Sequence, residues 1–333
     1  MITSARLQNF RKHPDFQVDF AKKTIITGPN GSGKTSILEA VYLSLIGKSW
    51  RSNFEEITRR GADWWRIDVA VGGDKRSVKY QNDAKTFEAQ HKNFNRLPAQ
   101  HKKPVILFEP QDLNLVFGSP ARRRDFIDRF AYSFDKNHQK NINKYQRVLK
   151  QRNQLLKDQA SHDDLFVWDM QFAELASKII KVRENYISKI NEIISGEYQK
   201  IAGCSDEVEL KYESILKTQQ EILDKLYENH ALEKSIGHTS IGPHQHDVNF
   251  IFNHKDASAT VSRGENRTLI LALKNSEYAL LKDSSPVVLL DDIMSEFDAT
   301  HQKNLLNGFG DSQIIITSVK PPKNIKNYQK IEL

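Results

Sequence analysis

The sequence predicts an α/β fold in which a parallel sheet is assembled from both ends of the chain around an inserted, mainly helical lobe. Three observations predict it. The run GPNGSGKT, residues 28–35, follows the apolar stretch 24–27 and precedes SILEAVYLSLIG, so a glycine loop joins a strand to a helix. Near the other end, residues 287–292 read VVLLDD, a buried-strand pattern that ends in two carboxylates. Between them, residues 121–199 contain no proline and only Gly196, and Leu, Ile, Lys, Gln and Glu dominate. Strands from both ends that share one sheet leave the middle as an insertion.

The elements follow in order. Residues 2–7 alternate apolar and polar, a second strand reaches Val18 to Phe20, and residues 24–27 form the strand that feeds the loop. Ile37, Ala40, Val41, Ser44 and Leu45 recur at helical spacing, predicting a helix with one apolar side. Residues 65–71 alternate cleanly and turn through Gly72-Gly73-Asp74 into a hairpin partner at 77–80. Pro104 to Phe108 reads as a buried strand closed by Glu109-Pro110. The proline-free stretch predicts helices; two of about 35 residues would reach about 50 Å, an arm or small lobe rather than a long coiled coil. Beyond Pro243, strands are expected at 248–252, 259–261, 287–290 and 313–317, with a helix over 266–281. The expected division is therefore a head from residues 1–120 and 240–333, and a helical lobe from 121–239.

A chain of 333 residues with 38% apolar and 27% charged residues has the composition of a globular protein. No apolar run approaches the ~20 residues of a membrane span, and MITSARLQNFRK lacks the order of a signal peptide. Cys204, alone, allows neither an internal disulfide nor a cysteine metal site, and the expectation is a cytosolic protein. The net charge of +7 is uneven. Residues 121–160 carry 11 Lys/Arg against 4 Asp/Glu, and residues 75–103 carry 8 against 2. Such clustering points to a polyanion partner, against the simpler reading of solvated helix faces.

Gly28-Pro29-Asn30-Gly31-Ser32-Gly33-Lys34-Thr35 fits G-x-x-x-x-G-K-[ST] without a mismatch. The glycines let backbone N–H groups turn inward around phosphates, and the following helix presents its N-terminus to the same charge. Lys34 is expected on the β- and γ-phosphates of ATP, and Thr35 on Mg²⁺. Asp291 is the expected second Mg²⁺ ligand, and Asp292 is placed to orient or deprotonate an attacking water. Ser262-Arg263-Gly264-Glu265-Asn266-Arg267 opens the helix before that strand. Ser262 and Gly264 are either a cap and a turn or donors to a γ-phosphate held by a second subunit. The order of phosphate loop, insertion, serine-glycine helix start and Asp-Asp strand favours the second: the layout of an ABC-type ATPase head that closes as a dimer over two nucleotides.

The chain resembles the RecF family of bacterial recombination-mediator ATPases. The resemblance rests on residues 107–113 (LFEPQDL), 118–129 (GSPARRRDFIDR), 242–247 (GPHQHD), 262–267 (SRGENR) and 289–298 (LLDDIMSEFD), in the family's order. It implies signature residues at Ser262 and Gly264, Walker B carboxylates at Asp291 and Asp292, a D-loop at Asp298, and a Q-loop position at Gln111. Thr317 falls where many ABC ATPases carry a switch histidine, which this family also lacks. The chain departs at Glu265-Asn266, where the family usually has two glutamines, at His246, usually Asp, and at Gln111, usually Glu. The resemblance further implies an ATP-driven homodimer on DNA, slow hydrolysis used as a switch, and loading of recombinase at single-strand gaps with a RecR-type mediator protein.

Rival readings are another ABC head of chromosome maintenance or transport, a P-loop kinase acting on a small molecule, and a nuclease. The short insertion, the signature run and the lack of a further carboxylate cluster argue against them in turn. His244 and His246, without a third partner, read as polar contacts more than metal ligands. Arg122, Arg123 and Arg124 cannot share one helix face, so at least one is expected to meet an acidic neighbour or a partner.

Overall fold

A computed structural model of the chain describes residues 1–132, 135, 137–321 and 327–333. The expected helical stretch 121–199 crosses residues 133, 134 and 136, which lie outside the described residues. Two compact units form, Met1–Leu113 with Lys274–Leu333, and Asn114–Leu273.

The first unit opens with β1 (Ile2–Phe10), β2 (His13–Asp19), β3 (Lys23–Thr27), α1 (Lys34–Ile46) and the short α2 (Phe54–Ile57). It continues with β4 (Trp64–Val71), β5 (Asp74–Gln81), β6 (Ala84–Ala89), β7 (Lys92–Phe94) and β8 (Val105–Phe108). The second unit holds α3 (Pro120–Ala131), α4 (His138–Lys157), α5 (His162–Asn191), α6 (Ile194–Ala202), β9 (Val208–Glu213) and α7 (Gln219–Ile236). It ends with β10 (Asp247–Phe252), β11 (Lys255–Asp256) and α8 (Ala257–Thr260). Helix α9 (Arg263–Leu281) carries the chain back to the first unit, which closes with β12 (Val287–Asp291), α10 (Ala299–Gly308), β13 (Ile314–Ser318) and β14 (Gln329–Glu332). Among the described residues no helix is long and apolar enough to cross a membrane.

In the first unit, five strands pair in parallel in the order β14-β3-β13-β12-β8. N-terminal β3 thus lies between two C-terminal strands, and the continuous apolar runs of β12 and β13 are those of strands covered on both faces. An antiparallel sheet, β2-β1-β4-β5-β6-β7, completes the unit. Helix α1 is buried at every residue from Ser36 to Leu45, not on the single face its apolar spacing predicts. The reason is that both sheets contribute to the core around it: Leu7, Ile67 and Val78 from one, Ile26, Leu289 and Ile315 from the other. Each fully buried Leu or Ile there contributes about 1.5–3 kcal/mol.

In the second unit, α4, α5 and α7 share a core of Val148, Phe172, Ile179, Ile222 and Leu226. Its helices are shorter than the pair of about 35 residues expected; the longest, α5, has 30. A capping box between Ser161 and Asp164 starts α5 afresh after α4 ends. Arg152, wholly buried, donates to Asp169 Oδ1 (2.6 Å), Glu233 Oε2 (2.6 Å) and Thr239 Oγ1 (2.8 Å), tying α4, α5 and α7 to the segment that follows.

Residues 240–273 were expected in the head, yet they pack with the inserted unit. The cause is long-range pairing. β10 pairs antiparallel with β9, Arg123 forms a salt bridge with Asp247 (2.6 Å), and Arg183 donates to the Pro243 carbonyl (2.6 Å). The expected strand at 259–261 is instead the turn of helix α8 and its end, because Asp256 caps Ser258 N at 2.7 Å. Three residues of alternation are too few to specify a strand.

Candidate functional site

The phosphate loop runs from the end of β3 into α1. Gly33 sits at φ +105°, and a Cβ there would lie 2.5 Å from His13 Nε2, so neither the backbone nor the space admits a side chain. His13 and its neighbour brace the loop from the β1–β2 turn: His13 Nε2 lies 3.2 Å from the Gly33 carbonyl, and Lys12 Nζ donates to the Gly31 carbonyl (2.6 Å). Burial pushes the His13 imidazole below its ordinary value, so it braces the loop as a neutral ring. Lys34 is buried, its ammonium held by the carbonyls of Gly28 (2.8 Å) and Pro29 (3.0 Å).

Thr35 and the Asp-Asp strand meet. Thr35 Oγ1 donates to Asp291 Oδ1 (2.8 Å), and Thr317 Oγ1 donates to the same oxygen (2.8 Å) while accepting from Asp292 N (2.9 Å). Burial raises the Asp291 carboxyl above the usual range; the two threonines and Arg51 oppose that rise, and the Asp292 charge adds to it. Asp292 adopts φ +51°, a left-handed backbone conformation, immediately after β12 ends at Asp291. Together with Gly31, Lys34 and Thr35, it lines a concavity of about 460 Å³.

The donor set fits Mg²⁺ and a nucleotide triphosphate. Two buried polar atoms in this region, Ser32 Oγ and Asp292 Oδ1, have no hydrogen-bond partner among the described residues. A buried hydroxyl and carboxylate left this way cost about 1–3 kcal/mol each, which a bound phosphate, metal or water would offset. Carboxylate and hydroxyl oxygens are also the donors that Mg²⁺ prefers.

The concavity has walls that sequence reasoning did not single out: Arg11, Lys12, Arg51, Glu56 and Thr58. Arg11 is held by Glu39, whose carboxylate is fully buried on α1 and takes both Arg11 Nε (3.0 Å) and Nη2 (2.8 Å). Ser49 Oγ (2.6 Å) joins the same carboxylate, so one acidic side chain anchors both the β1–β2 turn and the loop carrying Arg51. A glutamate inside an otherwise apolar helix was the available signal.

Other expected positions lie elsewhere. Ser262 and Gly264 belong to the second compact unit, the phosphate loop to the first. Ser262 N donates to Glu265 Oε2 (2.6 Å), and Glu265 N donates to Ser262 Oγ (3.3 Å), a reciprocal capping box at the start of α9. Gln111 is exposed on a 3₁₀ turn and is not among the residues around the 460 Å³ concavity. Its neighbour Asp112 is the buried one, paired with Lys274 at 3.0 Å. Asp298 caps α10 through His301 N (2.9 Å). His244 Nδ1 shares a hydrogen bond with the Tyr145 hydroxyl (2.6 Å), and His246 Nδ1 with that of Tyr212 (2.8 Å). Burial, with Arg183 nearby, pushes His246 down to about 4, a neutral polar contact at neutral pH.

The basic stretches divide. Arg76 is buried and donates to the His101 carbonyl, Arg123 meets Asp247 as its triplet required, and Arg124 donates to the His246 carbonyl (2.8 Å). These arginines, with Arg152, hold structure. Lys75, Lys79, Lys85, Lys140 and Lys144 are exposed.

Comparison with known proteins is consistent with this geometry. The family model described as an AAA ATPase domain matches residues 1–276. The DNA replication and repair protein RecF of Agathobacter rectalis is 35% identical over the whole of this chain and 96% of its own length. That of Lachnospira eligens is 34% identical over 99% of this chain and 96% of its own. A solved structure of the recombination mediator protein RecF with ATP, from the RecFOR pathway, superposes with a TM-score of 0.86 at 27% identity, covering 98% of this chain and 93% of that one. An Smc head bound to the C-terminal winged-helix domain of ScpA, at 15% identity and a TM-score of 0.53 over 96% of this chain and 89% of its own, shares the fold alone. By sequence along its full length, the chain belongs to the RecF family of DNA replication and repair proteins.

Proposed function

We propose that this protein is an ATP-dependent DNA-binding switch of recombinational repair and replication-fork maintenance, acting in the cytoplasm. ATP binds the phosphate loop, and Thr35 and Asp291 would hold the Mg²⁺ that accompanies it. Two copies then close on DNA, each offering Ser262 and Gly264 to the nucleotide of the other. Slow hydrolysis, with Asp292 orienting water, reopens them. In this reading the closed form helps load recombinase at single-strand gaps together with a RecR-type mediator protein.

The observation that carries the reading is the junction of Thr35, Asp291 and Thr317 beside the unpartnered Asp292 Oδ1. Bound Mg²⁺–ATP supplies the scissile phosphate and its charge. Lys34 would bind that charge, the Asp291 carboxylate would hold the metal, and Asp292 would orient the attacking water and accept its proton. The head is not assigned to chemistry on a metabolite, since Ser262 and Gly264 would then have no part in it.

The test measures binding to gapped, single-stranded and duplex DNA with and without Mg²⁺–ATP, alongside sedimentation in both conditions. ATP-dependent dimers and ATP-stimulated DNA binding are expected. A protein that remains monomeric at saturating Mg²⁺–ATP with DNA present would refute the switch.

A further inference from the structure

Strand β13 reads Ile-Ile-Ile-Thr-Ser and is buried along its whole length, with Thr317 at 0% exposure. A hydroxyl in such a place has to find protein partners, since water does not reach it. Strand packing alone does not supply one: the Leu290 carbonyl lies 3.5 Å away, too far for a sound hydrogen bond. The hydroxyl instead gives its one proton to Asp291 Oδ1 (2.8 Å) and accepts from Asp292 N (2.9 Å). Parallel pairing sets this up. Asp291 stands opposite Thr317 in the β12–β13 register, so one side chain reaches both the last residue of β12 and the amide that follows it.

Asp292 is the residue that most needs holding. Its backbone is left-handed, at φ +51° and ψ +19°, a conformation that residues with a Cβ seldom adopt, and it opens the 3₁₀ turn Ile293–Glu296. Its N–H is shared between the Thr317 hydroxyl and the Thr317 carbonyl (3.1 Å), and its own carbonyl accepts from Ser295 Oγ (3.0 Å). The carboxylate is treated differently: Asp292 Oδ1 is buried without a hydrogen-bond partner among the described residues. The backbone is thus fixed while a carboxylate oxygen stays unused. Thr35 also donates to Asp291 Oδ1, but Thr35 is itself an expected metal ligand and Thr317 is not. Asp292 lines the 460 Å³ concavity and Thr317 does not, so Thr317 acts through its two acidic neighbours rather than on a nucleotide.

We propose that Thr317 is a positioning residue for ATP hydrolysis, one hydroxyl that locks the Asp291 carboxylate and the left-handed backbone of Asp292 into a fixed relative placement. The inference rests on the ATPase reading above and adds how its two carboxylates are kept in register. A reacting group misplaced by about 1 Å can lose on the order of a hundredfold in rate, so a clamp shared by both carboxylates bears on turnover more than on nucleotide affinity. The hydroxyl carries the role, not the shape of the side chain. Serine keeps it, whereas valine keeps the β-branched form and loses it. With valine, Asp292 N still has the main-chain carbonyl of residue 317, so no buried amide is orphaned.

The experiment measures single-turnover ATP hydrolysis with DNA present, and Mg²⁺–ATP affinity by calorimetry. It compares the wild type with Thr317→Val, Thr317→Ser, Asp292→Asn and the Thr317→Val, Asp292→Asn double variant. Thr317→Val should lower the hydrolysis rate by about ten- to a hundredfold while affinity stays within a few-fold. Thr317→Ser should restore the rate. In the Asp292→Asn background the valine substitution should cost little more, because the clamp acts through the carboxylate already removed. Thr317→Ala, which removes the hydroxyl without setting a methyl group against the carboxylate, should give the same pattern and serves if valine unfolds the protein. A wild-type rate in a folded Thr317→Val or Thr317→Ala protein, a loss that serine does not restore, an affinity loss as large as the rate loss, or full additivity with Asp292→Asn would each overturn the clamp. Wild-type protein that neither binds nor hydrolyses ATP would overturn the parent reading as well, which separates the two failures.

Discussion

Thr35 Oγ1 and Asp291 Oδ1 lie 2.8 Å apart although 256 positions separate them in the chain. The contact fastens the first turn of α1 to the end of β12, two elements drawn from opposite ends of the sequence. Thr317 Oγ1 shares the same carboxylate oxygen, so a third segment joins them. This junction is the centre of the proposed nucleotide site, and the first predictions test it.

Lys34→Ala should abolish nucleotide binding measured by calorimetry, because it removes the charge aimed at the phosphates. Loss of its hydrogen bonds to Gly28 and Pro29 should cost only about 1–2 kcal/mol of stability. A folded variant with wild-type ATP affinity would remove the site assignment.

Asp291→Asn separates function from stability. Burial raises the Asp291 carboxyl, so the folded protein holds its proton more tightly than the unfolded chain does. That favourable linkage is complete below the unfolded value near 4 and is lost as pH rises through the raised folded value. At pH 7 the ionised form is therefore a local burden, and Asn should leave the melting temperature equal or higher while Mg²⁺-dependent ATP binding falls. In the wild type, Mg²⁺-dependent binding should weaken on acidification at a pH above that of an ordinary carboxylate. Asp292→Asn should keep binding, slow turnover and let the closed dimer accumulate; unchanged turnover would remove its assigned role.

Ser262 and Glu265 form a capping box, so two roles must be told apart. Loss of the cap alone predicts that Ser262→Arg costs about 0.5–2 kcal/mol with no selective effect on assembly. A signature role predicts that ATP affinity of the single subunit stays within a few-fold while ATP-dependent dimerisation disappears in sedimentation. Glu265→Gln keeps an acceptor for Ser262 N and removes a negative charge, so ATP-driven dimers should strengthen. Dimerisation unchanged by that substitution would show that the charge does not oppose closure.

Asp128 gives the opposite sign to Asp291. Burial opposes its ionisation, but hydrogen bonds from Arg183 and His138 outweigh burial and hold it below the usual range. Its contribution is present above the unfolded value near 4 and is lost as pH falls through the lower folded value, so this linkage appears only in the acid limb below about pH 4. Asp128→Asn should destabilise the helical unit by about 3–5 kcal/mol at pH 7, since Arg183 and its charge stay buried. Urea unfolding followed by helix content measures it.

The phosphate loop, the Asp-Asp strand and the parallel sheet drawn from both chain ends were legible because each is a contiguous segment whose chemistry lies in its own residues. Glycines at fixed spacing, an apolar run ending in carboxylates and a proline-free stretch report local physics directly. What only the tertiary structure decided lies between distant residues. α1 is buried on all sides because two sheets contribute to its surroundings, which no helical periodicity records. The segment 240–273 follows the inserted helices because β10 finds β9 and because Arg123 finds Asp247, 124 positions away. Arginine charge read as available for DNA is partly consumed inside, at Arg76, Arg123 and Arg152, while the lysines of α4 and α5 stay outside. A charge count is local, but whether an ion is desolvated and paired depends on which partner the fold brings to it.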